Sequence, residues 1–402
     1  MYTNADQLQN KLDELRLQLS IVSPDFVFVT EVLPKYNFDN ISCSSTLYHI
    51  DGYSAFPGTD LGRGVIIYAK TELNVSPNTT LNSFYGDASW IDWISDSKTI
   101  TLGCIYRSPS NTRNCDEINH LLNMAVGLAE NLLITGDFNM KDIDWDTYTT
   151  THGEDHHESL FIECLRDNFL FQHVNQFTRC RNDQSKNILD LILSKDENDI
   201  VNLEYLPSLG CSDHVTLLFD FLCDFKIICT GASSYQYRKC DLIRFTEEWE
   251  TTNWQEYFQH SDANSMWESF VCKFRASVEK FVPKFKPKSG HMKKPLWMTQ
   301  DSLRFIKGKR HAWNKYMATK RTADFGTYKV VRNAANECVK KSKKNYERTI
   351  SLKAKSEPKQ FWRSLCHPEK FQKGGKMQEY RQFSRRVTKL SHVTTDQLVS
   401  HQ

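Results

Sequence analysis

Short apolar segments of strand length, separated by segments with helical periodicity, recur throughout residues 1–224. Four leucines between Leu8 and Leu19 recur at spacings of four, three and four residues, which predicts an amphipathic helix. The run Phe26–Val29 is apolar and rich in aromatic and β-branched side chains, so it predicts a buried strand. Similar runs predict strands at Gly64–Lys70, Lys98–Tyr106, Asn131–Thr135, Asn187–Leu193 and His214–Phe221, with helices around Asp116–Glu130 and His157–Asn168. Strands mixed with helices over this length predict a layered α/β domain.

The pattern changes after about residue 240, where helical periodicity replaces the strand pattern. Apolar stripes lie along residues 303–317 and 328–350, and the opposite faces are rich in Lys and Arg. The Lys- and Pro-rich stretch at residues 282–290 predicts a linker. The last 25 residues, 378–402, have no clear periodicity and are expected to be poorly ordered.

The net charge of +2 hides a strong asymmetry. Residues 1–224 carry 14 Lys/Arg and 33 Asp/Glu, a balance of −19, whereas residues 225–402 carry 37 and 16, a balance of +21. Between Lys273 and Arg348 alone there are 22 basic and 5 acidic residues, with aromatic residues interleaved. Such a basic segment is typical of contact with a phosphate backbone, although a solvated helical face is the plainer interpretation of a charge run.

Several protein classes are disfavoured by the same sequence. No apolar run approaches the roughly 20 residues that a membrane-spanning helix needs, and no signal-peptide pattern is present at Met1–Asn10. The 12 cysteines lack the paired spacing of zinc sites, so we expect free thiols in a reducing compartment. The sequence therefore predicts an intracellular protein, nuclear or cytoplasmic, without a membrane partner.

Polar side chains stand where several of the predicted strands end. They are Glu31, the pair Asp137 and Asn139, Asp190 within an apolar run, and the pair Asp213 and His214 before another. A carboxylate beside an apolar strand must be paired, hydrogen-bonded or metal-bound, because an isolated buried charge is too costly. Converging carboxylates with few cysteines favour Mg²⁺ or Mn²⁺ over Zn²⁺. With one histidine and an asparagine added, the set suits metal-assisted phosphoester hydrolysis.

Each of these elements alone also has a purely structural interpretation. Gly136–Asn139 suits a plain turn at a strand end, Asp213–His214 suits a helix cap or a buried pair, and Glu31 suits a solvated loop. The order of the elements along the chain distinguishes the two interpretations. That order, with Asn4 and Tyr106 included, resembles the endonuclease/exonuclease/phosphatase superfamily. More narrowly, it is similar to the apurinic-type endonuclease domain of jockey- and CR1-like non-LTR retrotransposons.

The resemblance covers about residues 3–224 and continues into the basic half, where Lys294–Trp297 and Pro358–Trp362 are similar to the segment that precedes reverse transcriptase in such polyproteins. It implies a four-layer sandwich of two packed β-sheets flanked by helices, followed by a mainly helical basic segment. The implied domains are 1–224 for the endonuclease, 225–377 for the basic connector and 378–402 for the tail.

The resemblance also implies a role for each site residue. Glu31 would be the main ligand of a Mg²⁺ or Mn²⁺ ion, with Asn4 and Asp213 close to the same ion. Asp137 would position or deprotonate the attacking water, and Asn139 would fix its orientation. The phosphate would be contacted by His214, held in its tautomer by Asp190, and by Tyr106.

The resemblance implies Mg²⁺-dependent DNA nicking that leaves a 3′-hydroxyl for target-primed reverse transcription. The family has a full core strand before the residue equivalent to Asn4, so we expect that strand to be missing here, and no polymerase motif precedes Gln402. An inactive remnant that only binds nucleic acid is therefore the alternative. Superfamily relatives that cleave inositol phosphates or sphingomyelin leave the substrate class open as well. Element RNA is a further partner to consider, and the sequence does not decide the oligomeric state.

Overall fold

The structure is a computed structural model of the chain. It describes residues 1–35, 41–44, 46–59, 62–95, 98–109, 114–180, 187–223, 234–235, 240–257, 263–285 and 296–353. Residues 286–290 of the predicted linker at 282–290 and the predicted tail at 378–402 lie outside the described residues, as do Lys294, Pro295 and Pro358–Trp362. In the described part of the predicted linker, Lys284–Phe285 form a short strand.

The strands are short, and most lie in the first 221 residues. In chain order they are β1 (Tyr2–Asn4), β2 (Phe26–Thr30), β3 (Tyr53–Pro57), β4 (Val65–Lys70), β5 (Val75–Pro77), β6 (Ala88–Ser95), β7 (Lys98–Tyr106), β8 (Asn131–Asp137), β9 (Ile143–Asp144), β10 (Thr149–Thr150), β11 (Phe171–Gln172), β12 (Asp190–Ser194), β13 (Ile200–Leu206), β14 (Thr216–Phe221), β15 (Ser234–Tyr235) and β16 (Lys284–Phe285).

The α-helices are interspersed with the strands at first and then dominate the rest of the described chain. They are α1 (Leu12–Val22), α2 (Thr79–Asn82), α3 (Asn114–Leu128), α4 (His157–Asp167), α5 (Leu242–Glu250), α6 (Trp254–Tyr257), α7 (Ala263–Phe281), α8 (Gln300–Thr319) and α9 (Thr322–Lys353). Two short 3₁₀ helices are formed by Leu8–Asn10 and Thr46–Tyr48.

Two six-stranded sheets form the framework. One has the order β13-β14-β1-β2-β4-β3 and the other β11-β12-β8-β7-β6-β5. In each sheet the two central strands, β1 with β2 and β7 with β8, are parallel, and every other pair is antiparallel. The two sheets thus repeat one arrangement, with a parallel pair at the centre of each.

The buried side chains divide the domain into four layers. Between the sheets lies an apolar core that includes Phe28, Leu102 and Leu217. A second core packs α3 and α4 on the outer face of one sheet, and a third packs α1 on the outer face of the other. The predicted α/β sandwich of two packed sheets flanked by helices is therefore confirmed, and so is the helical segment that follows it.

The first strand differs from expectation. We expected the core strand at Asn4 to be missing, but Tyr2–Asn4 forms β1 in the middle of its sheet. Its residues pair with β2 on one side and with β14 on the other. Met1 extends the ladder, since its carbonyl accepts from the Phe28 N–H at 2.9 Å. Three residues thus occupy the central position, where Tyr2 and Thr3 pair with β14 and all three residues pair with β2.

Other elements shift by a few residues or were not predicted. The strand expected at Asn187–Leu193 begins only at Asp190, so this carboxylate starts the strand rather than interrupting it. The strands β3, β6 and β13 were not predicted. In β6 the polar residues Ser89 and Asp92 interrupt the apolar run, which hides the strand pattern in the sequence.

The helices α8 and α9, called here the docked helix pair, pack against the sheet domain. Trp313, Tyr316 and Tyr328 are buried and join the core between the sheets, and the Trp313 Nε1–H donates to the carbonyl of Tyr205 at 2.7 Å. A smaller cluster joins Leu17 of α1 to the pair. These aromatic residues therefore serve helix packing, as the apolar stripes predicted.

One glycine is required by the close approach of two strands. A Cβ on Gly136 would lie 2.1 Å from the backbone oxygen of Ile105, with no flexible side chain to move aside. Replacing Gly136 with alanine should therefore lower the free energy of unfolding by about 1–3 kcal/mol, as measured by urea denaturation. Gly127 on α3 has nothing within 4 Å of its Cβ position, so Gly127→Ala should leave stability unchanged or slightly higher. Equal effects at both positions would contradict this explanation.

The sequence predicted free thiols and no membrane-spanning helix. Across the described residues, no disulfide joins any of the cysteines. A search of the helices in those residues finds none that is long and apolar enough to span a bilayer.

Candidate active site

The predicted site residues come from both sheets and meet at one end of the sandwich. Asn4 is the last residue of β1 and pairs with Thr30, the last residue of the parallel strand β2. Glu31 is the next residue after β2, so it lies at the same end of the sheet as Asn4. In the other sheet, Tyr106 and Asp190 are both opposite Asp137 in register. Because parallel strands carry their carboxyl ends to the same edge of a sheet, the two central pairs present these side chains together.

Asn4 links the two sheets through its side-chain amide. Its Nδ2 donates to Glu31 Oε1 at 3.1 Å and to Asp137 Oδ2 at 2.8 Å. Asn4 and Asp137 are both completely buried. The Asn4 amide therefore hydrogen-bonds one carboxylate from each sheet, Glu31 from one and Asp137 from the other.

Glu31 is held in an unusual backbone conformation. Its φ of 50° lies in the left-handed region, which is uncommon for residues other than glycine and is often found at functional sites. The backbone carbonyl of Glu31 accepts from the Gln7 N–H at 2.8 Å, which stabilises this turn. The side chain forms an ion pair with Arg63, at 2.5 Å from Nη2 to Oε2, and a hydrogen bond with Tyr106. Burial and the neighbouring Glu31 and Asp137 carboxylates raise the pKa of Tyr106, so its hydroxyl keeps its proton.

His214 and Asp190 form a buried pair. Asp190 Oδ2 lies 2.7 Å from His214 Nδ1, and Asp190 Oδ1 accepts from the Tyr2 hydroxyl at 2.6 Å. The other ring nitrogen, Nε2, lies 3.9 Å from Asp137 Oδ2. Asp190 thus fixes the imidazole so that its Nε2 faces the Asp137 side of the site.

The electrostatics of this cluster favour a charged imidazole beside carboxylates. Burial disfavours the charged form of His214, but the carboxylates of Asp190 and Asp137 outweigh it and raise its pKa to about 10. Burial also raises the pKa of Asp137 to about 8; His214 opposes this, whereas Asp190 and Glu31 add to it. Asp137 therefore lacks a sufficient counter-charge from the protein, whereas Glu31 is paired with Arg63 and Asp190 with His214.

Asp213 and Asn139 are less closely joined to the cluster. The Arg179 Nε–H donates to Asp213 Oδ2 at 3.0 Å, and the other oxygen of Asp213 lies 3.8 Å from His214 Nε2. Asn139 has a φ of 50° and its backbone N–H donates to Asp137 Oδ1 at 3.2 Å. Its side-chain Nδ2 donates to the carbonyl of Arg107 at 2.8 Å, which ties the loop after β8 to the loop after β7.

Three site residues were not predicted from the sequence. Tyr2 contacts Asp190, Arg63 contacts Glu31, and Thr178 Oγ1 accepts from the backbone N–H of Asp190 at 3.0 Å. A signal exists only for Tyr2, because residues two apart on a strand share a face and Tyr2 therefore faces the same way as Asn4. Arg63 and Thr178 lie in loops whose paths the strand pattern does not define.

The side chains fit a hard divalent cation. Donor atoms of Asp137, Asp190 and His214 lie within 4.8 Å of one another, which is a spacing that could hold an ion. However, His214 Nδ1 and Asp190 Oδ2 already share a hydrogen bond. Carboxylate oxygens of Glu31 and Asp137 also converge, because both accept from Asn4 Nδ2, whereas Asn4 Oδ1 accepts from the Asp6 N–H at 2.9 Å. A cation beside these two carboxylates would supply the counter-charge that Asp137 lacks.

Residues 100–218 match the model of a family described as endonuclease-reverse transcriptase. Over this stretch the match confirms the resemblance that the order of motifs indicated. The comparison with curated protein sequences gives no match.

Three solved structures are similar to the chain. The endonuclease domain of TRAS1, a telomere-specific non-LTR retrotransposon, is 16% identical, with 56% of this chain and 97% of that domain covered and a TM-score of 0.43. The AP endonuclease LMAP from Leishmania major is 17% identical, with 55% and 87% covered and a TM-score of 0.44. The 3′-5′ exonuclease NExo from Neisseria meningitidis is 15% identical, with 55% and 98% covered and a TM-score of 0.41.

Proposed function

We propose that this chain is a Mg²⁺- or Mn²⁺-dependent DNA endonuclease that nicks its target and leaves a 3′-hydroxyl, from which reverse transcription can be primed. The observation that carries the proposal is the convergence of Asn4, Glu31 and Asp137 beside the buried His214–Asp190 pair. The family match supports it, because residues 100–218 include three of these five residues, Asp137, Asp190 and His214.

On the acidic side of the site, Glu31 would hold the cation together with an oxygen of Asp137 or of Asp213. Asn4, close to the same ion, would hold Glu31 and Asp137 in place through its Nδ2. When bound, the cation supplies positive charge to a phosphate that approaches these carboxylates. Asp137 would position the attacking water and accept its proton, since the cation beside it would favour its ionised form. Asn139 would keep the loop in place through its bond to Arg107 and orient the same water.

On the other side of the site, His214 would donate from Nε2 to a non-bridging phosphate oxygen. Its charge would stabilise the additional negative charge of the transition state. Asp190 maintains that charge and the ring orientation through its 2.7 Å contact. The Tyr106 hydroxyl stays protonated and would donate a hydrogen bond to the phosphate or to the leaving oxygen.

The docked helix pair supports DNA rather than a small phosphoester as the substrate. Lys320 donates to Gln176 at 3.2 Å, close to Thr178 and Arg179, and Asn336 lies 3.4 Å from Cys211 Sγ, two residues before Asp213. The pair therefore lies against both loops that lead into the site. Its exposed basic residues are Arg304, Lys307, Lys315, Lys320, Arg321, Lys340, Lys341, Lys344 and Arg348. A duplex on this surface would reach the acidic site while its phosphates contact lysine and arginine.

The alternative, an inactive remnant that binds nucleic acid only, was motivated by a missing first strand. The position of that strand is occupied by Tyr2–Asn4, which carries Asn4 into the site. We therefore favour the active enzyme and include the remnant as an outcome of the test.

The test is nicking of supercoiled plasmid by the purified chain. We expect relaxed circles with Mg²⁺ and none with excess EDTA, and Glu31→Gln should lower the rate by about 10²- to 10³-fold, since it removes one charge at the proposed cation site. Glu117→Gln makes the same chemical change on the exposed face of α3 and should keep full activity. Plasmid binding without Mg²⁺-dependent nicking in the wild type would support the remnant instead.

A further inference from the structure

A second group of metal-binding side chains lies outside the proposed active site. We propose that Asp142, His152, His156 and Glu158 form a Zn²⁺ site, distinct from the proposed Mg²⁺ site. The residues come from the loop after β8, the segment after β10 and the start of α4. Three of them fall within seven residues of sequence, His152–Glu158.

Ligand atoms of His152, His156 and Glu158 all lie within 4.8 Å of one another, and Asp142 adjoins His152. His152 Nε2 lies 3.1 Å from Asp142 Oδ2 and 3.6 Å from Glu158 Oε2. His156 Nδ1 lies 3.8 Å from the same Glu158 oxygen. Zinc bonds to nitrogen and carboxylate oxygen of roughly 2.0–2.2 Å place tetrahedral neighbours about 3.3–3.6 Å apart. The three separations bracket that value, and Asp142 would become the fourth ligand by a movement of its exposed side chain toward the ion.

Glu158 supplies an independent reason for a ligand. Its side chain is 1% exposed, and its Oε1 accepts from the backbone N–H of Asp142 at 3.1 Å. Within the described residues its Oε2 is buried and has no hydrogen-bond partner, although it faces both imidazole rings. A buried carboxylate oxygen left without a partner is costly, and a bound cation would satisfy it.

The competing contacts at these side chains are weak. Lys141 Nζ lies 3.7 Å from Asp142 Oδ2, and both side chains are exposed. The Glu158 N–H donates to His156 Nδ1 over a long 3.4 Å. His152 Nε2 also shares an exposed 3.1 Å hydrogen bond with Asp142 Oδ2, and the His152 and His156 rings stack with centroids 3.9 Å apart. Coordination would replace these contacts by bonds from both imidazoles to the ion. Two imidazoles with two carboxylates form a borderline donor set that favours Zn²⁺ over Mg²⁺.

The position of the cluster indicates a structural rather than a catalytic ion. Asp142 follows Asn139 by three residues, and Glu158 lies in the first turn of α4. With four protein ligands the ion would have no open position for substrate. It would fasten the loop after Asp137 to the N-terminal end of α4, and this role does not depend on the nuclease proposal.

The experiment measures zinc in the purified full chain after dialysis against a small excess of Zn²⁺. We expect one Zn²⁺ per chain in the wild type, and we expect it to be lost in His152→Ala. Removal of a ligand should weaken binding by about 100-fold or more, since changes to residues that only orient ligands already cost roughly 10- to 100-fold. His120→Ala removes an exposed imidazole outside the cluster and should keep the ion.

The Glu31→Gln variant separates the two sites. Zinc retained in Glu31→Gln and lost in His152→Ala supports the proposal, and Co²⁺ substitution should then give the visible absorption of a four-coordinate ion in the same variants. Zinc lost in Glu31→Gln but kept in His152→Ala would place it at the acidic site and overturn the proposal. Wild-type protein that stays metal-free would overturn it as well. Both readouts are independent of plasmid nicking, so they hold even if the chain does not cut DNA.

Discussion

Replacing His214 with alanine should lower the rate of Mg²⁺-dependent plasmid nicking by about 10²- to 10⁴-fold, the range expected for loss of a positioned proton donor or of transition-state charge stabilisation. His214 is 4% exposed, and its Nδ1 is held by Asp190 Oδ2 at 2.7 Å. The measurement is single-turnover nicking with saturating Mg²⁺, accompanied by circular dichroism to show that the variant is folded.

A matched control is His173→Ala. His173 is also partly buried and contacts a hydroxyl, Ser194 Oγ at 2.8 Å, but it lies outside the site. We expect its nicking rate to stay within a few-fold of the wild type. Equal activity in the wild type and in folded His214→Ala would contradict the proposed role of the imidazole.

Asp190 provides a pH-dependent test of the same pair. The carboxylates of Asp190 and Asp137 overcome burial and hold the pKa of His214 at about 10, so the charged form persists through neutral pH. Asp190→Asn removes the larger of these two contributions, and the pKa of His214 should fall. The alkaline limb of the nicking rate should therefore move to lower pH, because deprotonation now occurs earlier. A profile that keeps its alkaline limb would show that the charge of His214 is not required.

Much of the framework could be predicted because it depends on local pattern. The runs that became β2, β7 and β8 are rich in apolar and β-branched residues, and turn residues follow them. The polar side chains at their ends were visible for the same reason. By contrast, β1 has only three residues, too few for a period to be recognised. Its place at the centre of a sheet is determined by pairing with β2 and β14, which are distant in sequence.

The parts of the site that could not be predicted depend on contacts across the two sheets. The bond from Asn4 to Asp137 joins residues 133 positions apart, and the bond from Tyr2 to Asp190 joins residues 188 apart. Such distances follow from the packing of one sheet on the other, which no periodicity encodes. The ion pair of Arg63 with Glu31 likewise depends on the path of a loop. Sequence thus indicates which residues are available, and tertiary packing decides which of them meet.

The second large effect is expected on the free energy of unfolding, from a substitution in the docked helix pair. Among many exposed lysines of the basic half, Lys309 is only 1% exposed, and it pairs with the buried Glu14 of α1. Its Nζ also donates to the carbonyl of Ser208 at 2.7 Å, and the Gly210 N–H donates to the second oxygen of Glu14 at 3.1 Å. This charge pair therefore connects α8 to the sheet domain through a small, fully bonded network. Nothing in the charge pattern distinguishes Lys309 from its solvated neighbours.

Replacing Lys309 with methionine should lower the free energy of unfolding by about 3–5 kcal/mol, because it leaves the Glu14 carboxylate buried without its cation. Urea denaturation measures the loss, and hydrogen exchange should show faster exchange in α8. The control is Arg310→Met on the same helix, whose ion pair with Glu204 is exposed on both sides and should contribute about 0–1 kcal/mol. If both variants lose the same small amount, the apolar face alone holds the helix pair. If only Lys309→Met loosens α8, plasmid binding should weaken with it, since the exposed lysines and arginines of the pair would no longer be fixed beside the site.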